Sequence, residues 1–413
     1  MALYVLLCAR VLHPSFLSID LENGMDLFDK CKNELVEQAT AAGIYPYFHM
    51  LESRQAPTVM MEGKRRIMLG SNNYLGLTSE PRVIEAGIRA LEKYGSGCSG
   101  SRFLNGTLDL HVQLEAELAD FLGKEDCMTF STGFQSNLGI ISAIAGRGDY
   151  IFCDKENHAS IYDGCKLSWA KTIRFNHSDM EDLESALKSV PLDSGKLIVT
   201  DGVFSMGGDI CKLPEIVALA EKYNARVMVD DAHGLGVLGN GGRGTADHFG
   251  LTDKVDIIMG TFSKSLASLG GYMVAEKRVV DFVRHASRPF IFCASITPAN
   301  CATTLEALHI LRTEPGRVKR LIELAAYMRR GLIERGLKIR DSITPIIPIY
   351  TYEEMRTFRK AKELYDGGVY VNPVLPPATP PGECLLRTSY MANLTTELLD
   401  EALDIIEKVL KED

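Results

Sequence analysis

The chain has 413 residues, 46% of them hydrophobic and 24% charged, with a formal net charge of −9. That length suffices for one large domain plus a smaller one, and the balance is that of a globular protein rather than a disordered one. The acidic surface excludes a nucleic-acid binder, because neutralising phosphates needs an excess of lysine and arginine.

The chain opens on MALYVLLCARVLHP, an apolar run well short of a membrane span. It lacks the basic start of a signal peptide, and Leu7 before Cys8 is too large for a lipoprotein cleavage site. Residues 1–24 read as a disordered or upstream-initiated tail, with a natural start near Met25. The rest divides into an arm over 25–75, a large domain over 76–312 and a small C-terminal domain over 313–413. Ten cysteines are scattered with no C-x-x-C pair. The sequence therefore predicts no metal site and no disulfide framework, but reduced thiols and a cytoplasmic location.

PRVIEAGIRALEKYG reads as a helix, and GSGCSG (95–100) follows it. Those glycines have the spacing of a dinucleotide fingerprint, but the fingerprint needs a strand before it. STGFQSN (131–137) follows the apolar run CMTF and opens a helix, so its N–H groups can cradle a phosphate. Taken alone, that is an ordinary capped helix. DYIFCD (149–154) reads as a strand, and DKENHASIYDG (154–164) places His158 just beyond its end. An imidazole there can stack on a flat ring or move a proton, though a lone loop histidine is more often inert.

KLIVTD (196–201), ARVMVDD (225–231) and VDIIMG (255–260) read as further strands, with the helix LPEIVALAEKYN (213–224) between the first two. Strands alternating with helices give a mostly parallel sheet with helices on both faces, whose ligand groups gather at the strands' carboxyl ends. VDDAHG (229–234) sets Asp230 three residues before His233. A carboxylate at that depth needs a cationic partner, such as a pyridinium nitrogen. GLGVLG (234–239) also matches the glycine spacing, but GNGGRGTADHFG after it cannot open a helix. Both glycine runs read instead as close-approach loops around some other ligand.

GTFSKSLASLGG (260–271) puts Lys264 in a small-residue turn after the last strand. A lysine there is costly unless its amine is paired, neutral or covalently engaged, and a Schiff base with an aldehyde engages it. Beyond it a helical pattern runs from about Thr303 to Arg335. A strand TPIIPIYTY, a proline-rich loop NPVLPPATPPGE, a strand ECLLRTSYM and a helix TTELLDEALDIIEKVL complete a smaller α+β domain.

Phosphate helix, histidine, Asp-x-x-His and lysine, in that order, together specify pyridoxal 5'-phosphate. The chain resembles the α-oxoamine synthase family of fold-type I pyridoxal-phosphate enzymes, and is most similar to its bacterial serine palmitoyltransferase branch. The segments that carry the resemblance are SNNYLGL, GSGCSGSRFLNGT, STGFQSNLG, NHASIYDG, TDGVFSMGGD, VDDAHGLGVLG, GTFSKSLASLGG, SRPFIFCASITPA and LLRTSYMANLT. They span almost everything from about Met25 to the C terminus.

The resemblance implies roles for these positions. Lys264 would form the Schiff base and take the substrate's Cα proton. Asp230 would pair the pyridinium nitrogen, while His233 and Ser205 would bond the ring's phenolic oxygen. His158 would stack on the ring and orient the substrate carboxylate. Gly133, Phe134, Thr261 and Ser263 would hold the phosphate. Asn72 and Arg387 would bind the amino-acid carboxylate, and Ser101 would lie near the acyl-CoA. The active site would form in a homodimer, with Ser295 and Thr297 reaching the partner's phosphate.

The implied reaction condenses L-serine with palmitoyl-CoA, releasing coenzyme A and carbon dioxide and giving 3-ketodihydrosphingosine. A transient contact with a membrane surface would serve the lipid product. Glycine C-acetyltransferase and 8-amino-7-oxononanoate synthase share the cofactor motifs. A non-catalytic partner subunit would be expected to lose the lysine.

Overall fold

The computed structural model describes residues 26–412. The expected tail over 1–24 lies outside the described residues. The described residues fall into two compact units, divided between Tyr45 and Pro46. In the first, the helix Glu34–Ala41 is capped by Asn33, whose Oδ1 accepts the Val36 N–H at 3.2 Å.

Strands among the described residues of the second unit run, in chain order, β1 Thr58–Met61, β2 Lys64–Met68, β3 Asp126–Phe130, β4 Tyr150–Asp154, β5 Lys171–Phe175, β6 Lys196–Asp201, β7 Arg226–Asp230, β8 Ile257–Thr261, β9 Gly271–Ala275, β10 Ile346–Tyr352, β11 Val369–Tyr370, β12 Asn372–Val374 and β13 Cys384–Ser389. The main sheet has seven strands in the order β3-β9-β8-β7-β6-β4-β5. β5, β4, β6, β7 and β8 are mutually parallel, and β9 pairs antiparallel with both β8 and β3. Two three-stranded sheets, β1-β2-β11 and β10-β13-β12, join the early strands and the C-terminal region.

The predicted strands β4, β6, β7, β8, β10 and β13 lie within two residues of their expected ends. In the main sheet β5 and β9 were not foreseen; outside it neither were β1, β2, β11 and β12, the last taking the first three residues of the expected loop NPVLPPATPPGE. β5 is an edge strand, KTIRF, with only its last residue buried. β9 is short and starts inside the small-residue stretch after Lys264. The single helix expected over 303–335 is two, Pro298–Thr313 and Gly316–Glu334. Pro315 has no N–H to donate, and it forces Glu314 out of the helical region, to φ −125° and ψ 60°.

Successive residues of a strand face opposite sides. Ile198 of β6, Ile258 of β8 and Val274 of β9 enter one apolar core, while Val199, Met259 and Met273 enter the other. Both faces of the central strands are thus apolar, as a covered parallel sheet requires. The polar ends of the strands are left as the place where chemistry can gather. Among the described residues, no helix is long and apolar enough to cross a membrane.

One carboxyl-end turn shows how the sheet edge is fixed. Asp154, ending β4, accepts hydrogen bonds from the N–H groups of Glu156 (2.8 Å) and Ser178 (2.9 Å) and from His177 Nδ1 (3.0 Å). His177 Nε2 meets Asp209 at 2.8 Å, and Asp209 meets Arg340 at 2.7 Å. Burial alone would lower the His177 pKa, but the bonds to Asp154 and Asp209 outweigh it and raise it to about 10. A raised histidine pKa stabilises the fold fully below its unfolded value of roughly 6.5, and that gain is lost as pH climbs to the folded value. His177→Gln should therefore cost on the order of 2 kcal/mol near pH 6. In urea melts across pH, the gap from the parent should close as pH approaches about 10. A gap that is flat with pH would refute the charged bridge.

Candidate active site

A cavity of about 220 Å³ opens at the carboxyl edge of the main sheet. It is lined by Thr132, Gly133, Phe134, His158, Ser160, Asp201, Val203, Ser205, Asp230, Ala232, His233, Met259, Thr261, Ser263, Lys264 and Leu269. All the cofactor residues expected from the sequence meet here. A larger groove of about 430 Å³ runs between the helices Pro81–Tyr94, Asp109–Leu122 and Pro298–Thr313. It contains none of the expected residues, and its charged groups lie on the surface side. The smaller cavity is the site, because only there do buried titratable groups converge.

One end of the cavity is built for an anion. The helix Gly133–Ile144 starts one turn after β3, capped by Thr132. Thr132 Oγ1 takes the Gln135 N–H at 3.1 Å, and its carbonyl takes the Ser136 N–H. The N–H groups of Gly133 and Phe134 are left for a ligand at the helix N terminus. Across from them, Thr261 Oγ1 and Ser263 Oγ stand 2.9 Å apart. A β-carbon on Gly133 would lie 2.7 Å from Thr261 Cβ, so only glycine lets the helix end approach β8 this closely.

At the other end stand the titratable groups. Register places Asp201 beside Asp230 on neighbouring strands, and both are buried. Asp230 accepts the Ala232 N–H at 3.0 Å on Oδ1 and Asn137 Nδ2 at 2.7 Å on Oδ2. Burial, then the charge on Asp230, push the Asp201 carboxyl well above the usual carboxylate range. Burial drives His233 well below its usual value, helped by Lys264 and Arg387. Lys264 is lowered to about 8, chiefly by burial, with Asp230 opposing the shift. Among the described residues, its amine makes no ion pair and no hydrogen bond. The strand-end lysine is therefore neither paired nor fully charged, as covalent use of the amine requires.

The expected carboxylate clamp stands just behind the wall. Arg387, on β13, is 4% exposed. Its Nε donates to the Ser205 carbonyl at 2.5 Å and its Nη2 to Asn72 Oδ1 at 3.0 Å. Tyr74 OH, fully buried, meets His233 Nδ1 at 2.7 Å and Asn72 Oδ1 at 3.3 Å. Neither Asn72 nor Arg387 lines the cavity; both connect to it through Ser205, Tyr74 and His233. Ser101, Ser295 and Thr297 also lie outside this chain's cavity. Ser295 Oγ donates to the Gly106 carbonyl at 2.7 Å, and Thr297 caps the helix Pro298–Thr313. Ser101 Oγ is buried without a hydrogen-bond partner. Its neighbour Arg102 is pinned by Glu115 at 2.6 and 3.0 Å.

Sequence reasoning missed Asp201, Asn137, Ser160 and Tyr74 as site residues. All sit inside segments it had singled out, but nothing in their spacing shows which side chains meet. GLGVLG also proves different in kind. A β-carbon on Gly236 would lie 2.5 Å from Ser265 Cβ, and Ser265 Oγ bonds the Leu235 carbonyl at 2.7 Å. The close approach is to the lysine loop, not to a ligand.

These residues fit pyridoxal phosphate. An anion cradle, a buried carboxylate, a neutral histidine and an unpaired amine are spaced around one small cavity, which is the donor set that group needs.

A family model described as aminotransferase class I and II matches residues 64–406. The chain belongs to that family. Within the aminotransferase class I and II proteins, its similarity runs to α-oxoamine synthases. It is 53% identical to a serine palmitoyltransferase of Bacteroides thetaiotaomicron, over 92% of this chain and 96% of that protein. It is 43% identical to an 8-amino-7-oxononanoate synthase of Thermoanaerobacter pseudethanolicus, over 92% and 96%. A solved Sphingomonas wittichii serine palmitoyltransferase superposes with a TM-score of 0.90 at 39% identity, covering 93% of this chain and 98% of that one.

The glycine contact makes a direct test of the anion end. Gly133→Ala should fold, yet weaken pyridoxal-phosphate binding at least about tenfold, since the added methyl must displace the Thr261 wall. Fluorescence titration of the cofactor-free protein measures this, and an unchanged affinity would remove Gly133 from the cradle.

Proposed function

We propose that this chain is a pyridoxal-phosphate-dependent serine C-palmitoyltransferase. It condenses L-serine with palmitoyl-CoA and releases coenzyme A and carbon dioxide, leaving 3-ketodihydrosphingosine. The observation that carries the chemistry is the unpaired Lys264 amine facing buried Asp230 across the cavity. The substrate pair rests on the relatives. Serine palmitoyltransferases stand at 48–53% identity, and 8-amino-7-oxononanoate synthases at 43–44%. A non-catalytic partner subunit fits poorly, because Lys264, His158 and Asp230 are all in place.

Gly133, Phe134, Thr261 and Ser263 would hold the phosphate, Asp230 the ring nitrogen, and Ser205 with His233 the ring's phenolic oxygen. When bound, the cofactor supplies an aldehyde for an amine and a cationic ring that accepts the electron pair left at Cα. Lys264 Nζ, its pKa lowered to about 8 and so partly deprotonated at physiological pH, would take the proton from serine Cα and later return one. Positioned proton transfer of this kind is typically worth about 10²–10⁴-fold. The His158 ring lies at the cavity edge, where burial, opposed by Asp230 and aided by Lys264, lowers its pKa, so it can stack and donate to the serine carboxylate.

Homodimerisation is part of the proposal: Ser295 and Thr297, outside their own chain's cavity, would reach the partner's phosphate site. So is a cytoplasmic location with reduced thiols; the nine cysteines among the described residues are free.

The deciding experiment crosses serine, glycine and alanine with acyl-CoAs of increasing length, using Lys264→Ala as the inactive control. kcat/KM should be highest for serine and rise with acyl length, since each buried methylene adds about 0.8 kcal/mol. A preference for glycine with acetyl-CoA, or for alanine with a shorter acyl donor, would move the chain to another branch of the family. Turnover by Lys264→Ala would refute the chemistry itself.

Arg387→Ala should weaken serine binding by on the order of 2–3 kcal/mol, the worth of a charge-assisted contact, and leave cofactor affinity nearly intact. If the serine dependence of the cofactor's absorbance does not change, Arg387 is not the clamp.

A further inference from the structure

A chain of four side chains crosses the floor of the cavity. Asn137 Nδ2 donates to Asp230 Oδ2 at 2.7 Å and to Ser160 Oγ at 2.8 Å. Ser160 Oγ lies 2.7 Å from His158 Nδ1, and the Ser160 N–H donates to the same nitrogen at 3.3 Å. Asn137 and Ser160 are buried, 0% and 1% exposed. Neither has a part in the reaction described above.

The directions of these bonds are determined from the Asp230 end. Both Asp230 oxygens accept hydrogen bonds, so Asn137 must present its NH₂ there rather than its carbonyl. The second amide hydrogen then goes to Ser160 Oγ, which is thereby an acceptor and must send its own hydrogen onward. The atom within reach is His158 Nδ1, already the acceptor of a backbone N–H. The reverse orientation would set the Asn137 carbonyl against a carboxylate. Consistent with the forward orientation, Asn137 Oδ1 is the group left buried without a partner.

We infer that Asn137 and Ser160 are positioning residues that hold His158 as its Nε2–H tautomer. With Nδ1 filled from below, the ring proton sits on the edge that faces the cavity, as a donor and not an acceptor. The same bonds stop the ring turning about its own axis. One carboxylate thus serves two ends of the site, the ring nitrogen directly and the imidazole through two neutral side chains. The use of that Nε2–H for the amino-acid carboxylate rests on the proposed function; the tautomer does not.

The test is nitrogen NMR of histidine-labelled protein, with and without bound pyridoxal phosphate, assigning His158 by its substitution. Nδ1 should show the shift of an unprotonated ring nitrogen and Nε2 that of a protonated one. A protonated Nδ1 in the parent protein would overturn the inference before any variant is made. In Ser160→Ala the His158 signals should move towards a tautomer mixture. The KM for L-serine should rise about tenfold, the loss of one oriented hydrogen bond, while the KM for the acyl-CoA and the cofactor affinity hold. Unchanged His158 signals, or an equal rise in both KM values, would reduce Ser160 to a packing role. If the chain fails to turn over serine at all, the proposed function falls, and the NMR measurement still decides the tautomer.

Discussion

Asp230 carries a carboxylate almost wholly out of water, at the end of a central strand, and the site is arranged around that charge. An unpaired charge at such depth costs several kcal/mol, so it persists only where hydrogen bonds and a cation offset it. The chain supplies an amide and a backbone N–H from itself, and leaves the cation to the ligand. Burial moves the titratable groups nearby towards their neutral forms. It pushes Asp201, alongside in register, up towards its protonated form, and His233 and His158 down towards their neutral forms. Lys264 is brought to about 8. The result is a buried carboxylate facing a cavity sized for one flat ring.

That arrangement depends on the sheet. Five parallel strands deliver their carboxyl ends to one edge, so residues about 130 positions apart in sequence, from Gly133 to Lys264, become neighbours. The antiparallel β9 has a local purpose in this. It returns from the lysine loop between β8 and β3, and Gly271 at its start lets Gly133 approach within 2.8 Å of where a β-carbon would stand. The helix that points at the anion and the strand that presents Thr261 are therefore fixed against one another by two glycines.

Much of this was legible in the sequence. Apolar runs ending in acidic residues mark the strands, and glycine, histidine, Asp-x-x-His and lysine mark the ligand's outline in order. The bonds between those segments were not legible. Asn137 lies at the end of STGFQSN, and only the helix's facing turns it onto Asp230. Ser160 lies two residues past His158, and only the N-terminal turn of its helix folds it back beneath the ring. Asp201 ends a strand much as Asp154 does. Yet Asp154 holds a surface turn with His177, while register sets Asp201 beside a second carboxylate. β5 and β9 were missed because an edge strand needs few apolar residues and a short buried strand among glycines offers little periodicity.

The size of the cavity bears on where specificity resides. About 220 Å³ lies below the usual range for a drug-sized ligand, roughly 300–1,000 Å³, so it suits the cofactor and a small amino acid, not a long acyl chain. On the proposed reaction, then, only the thioester end reaches the lysine, and the tail must lie outside the cavity. Phe134 and Leu269 stand at that boundary, 43% and 51% exposed although both line the cavity. Apolar side chains at the rim suit an acyl chain leaving the site, and their binding energy speeds the reaction only where it sets the carbonyl against Cα. The chemistry is fixed by groups inside the cavity, and the donor is chosen by surfaces beyond it.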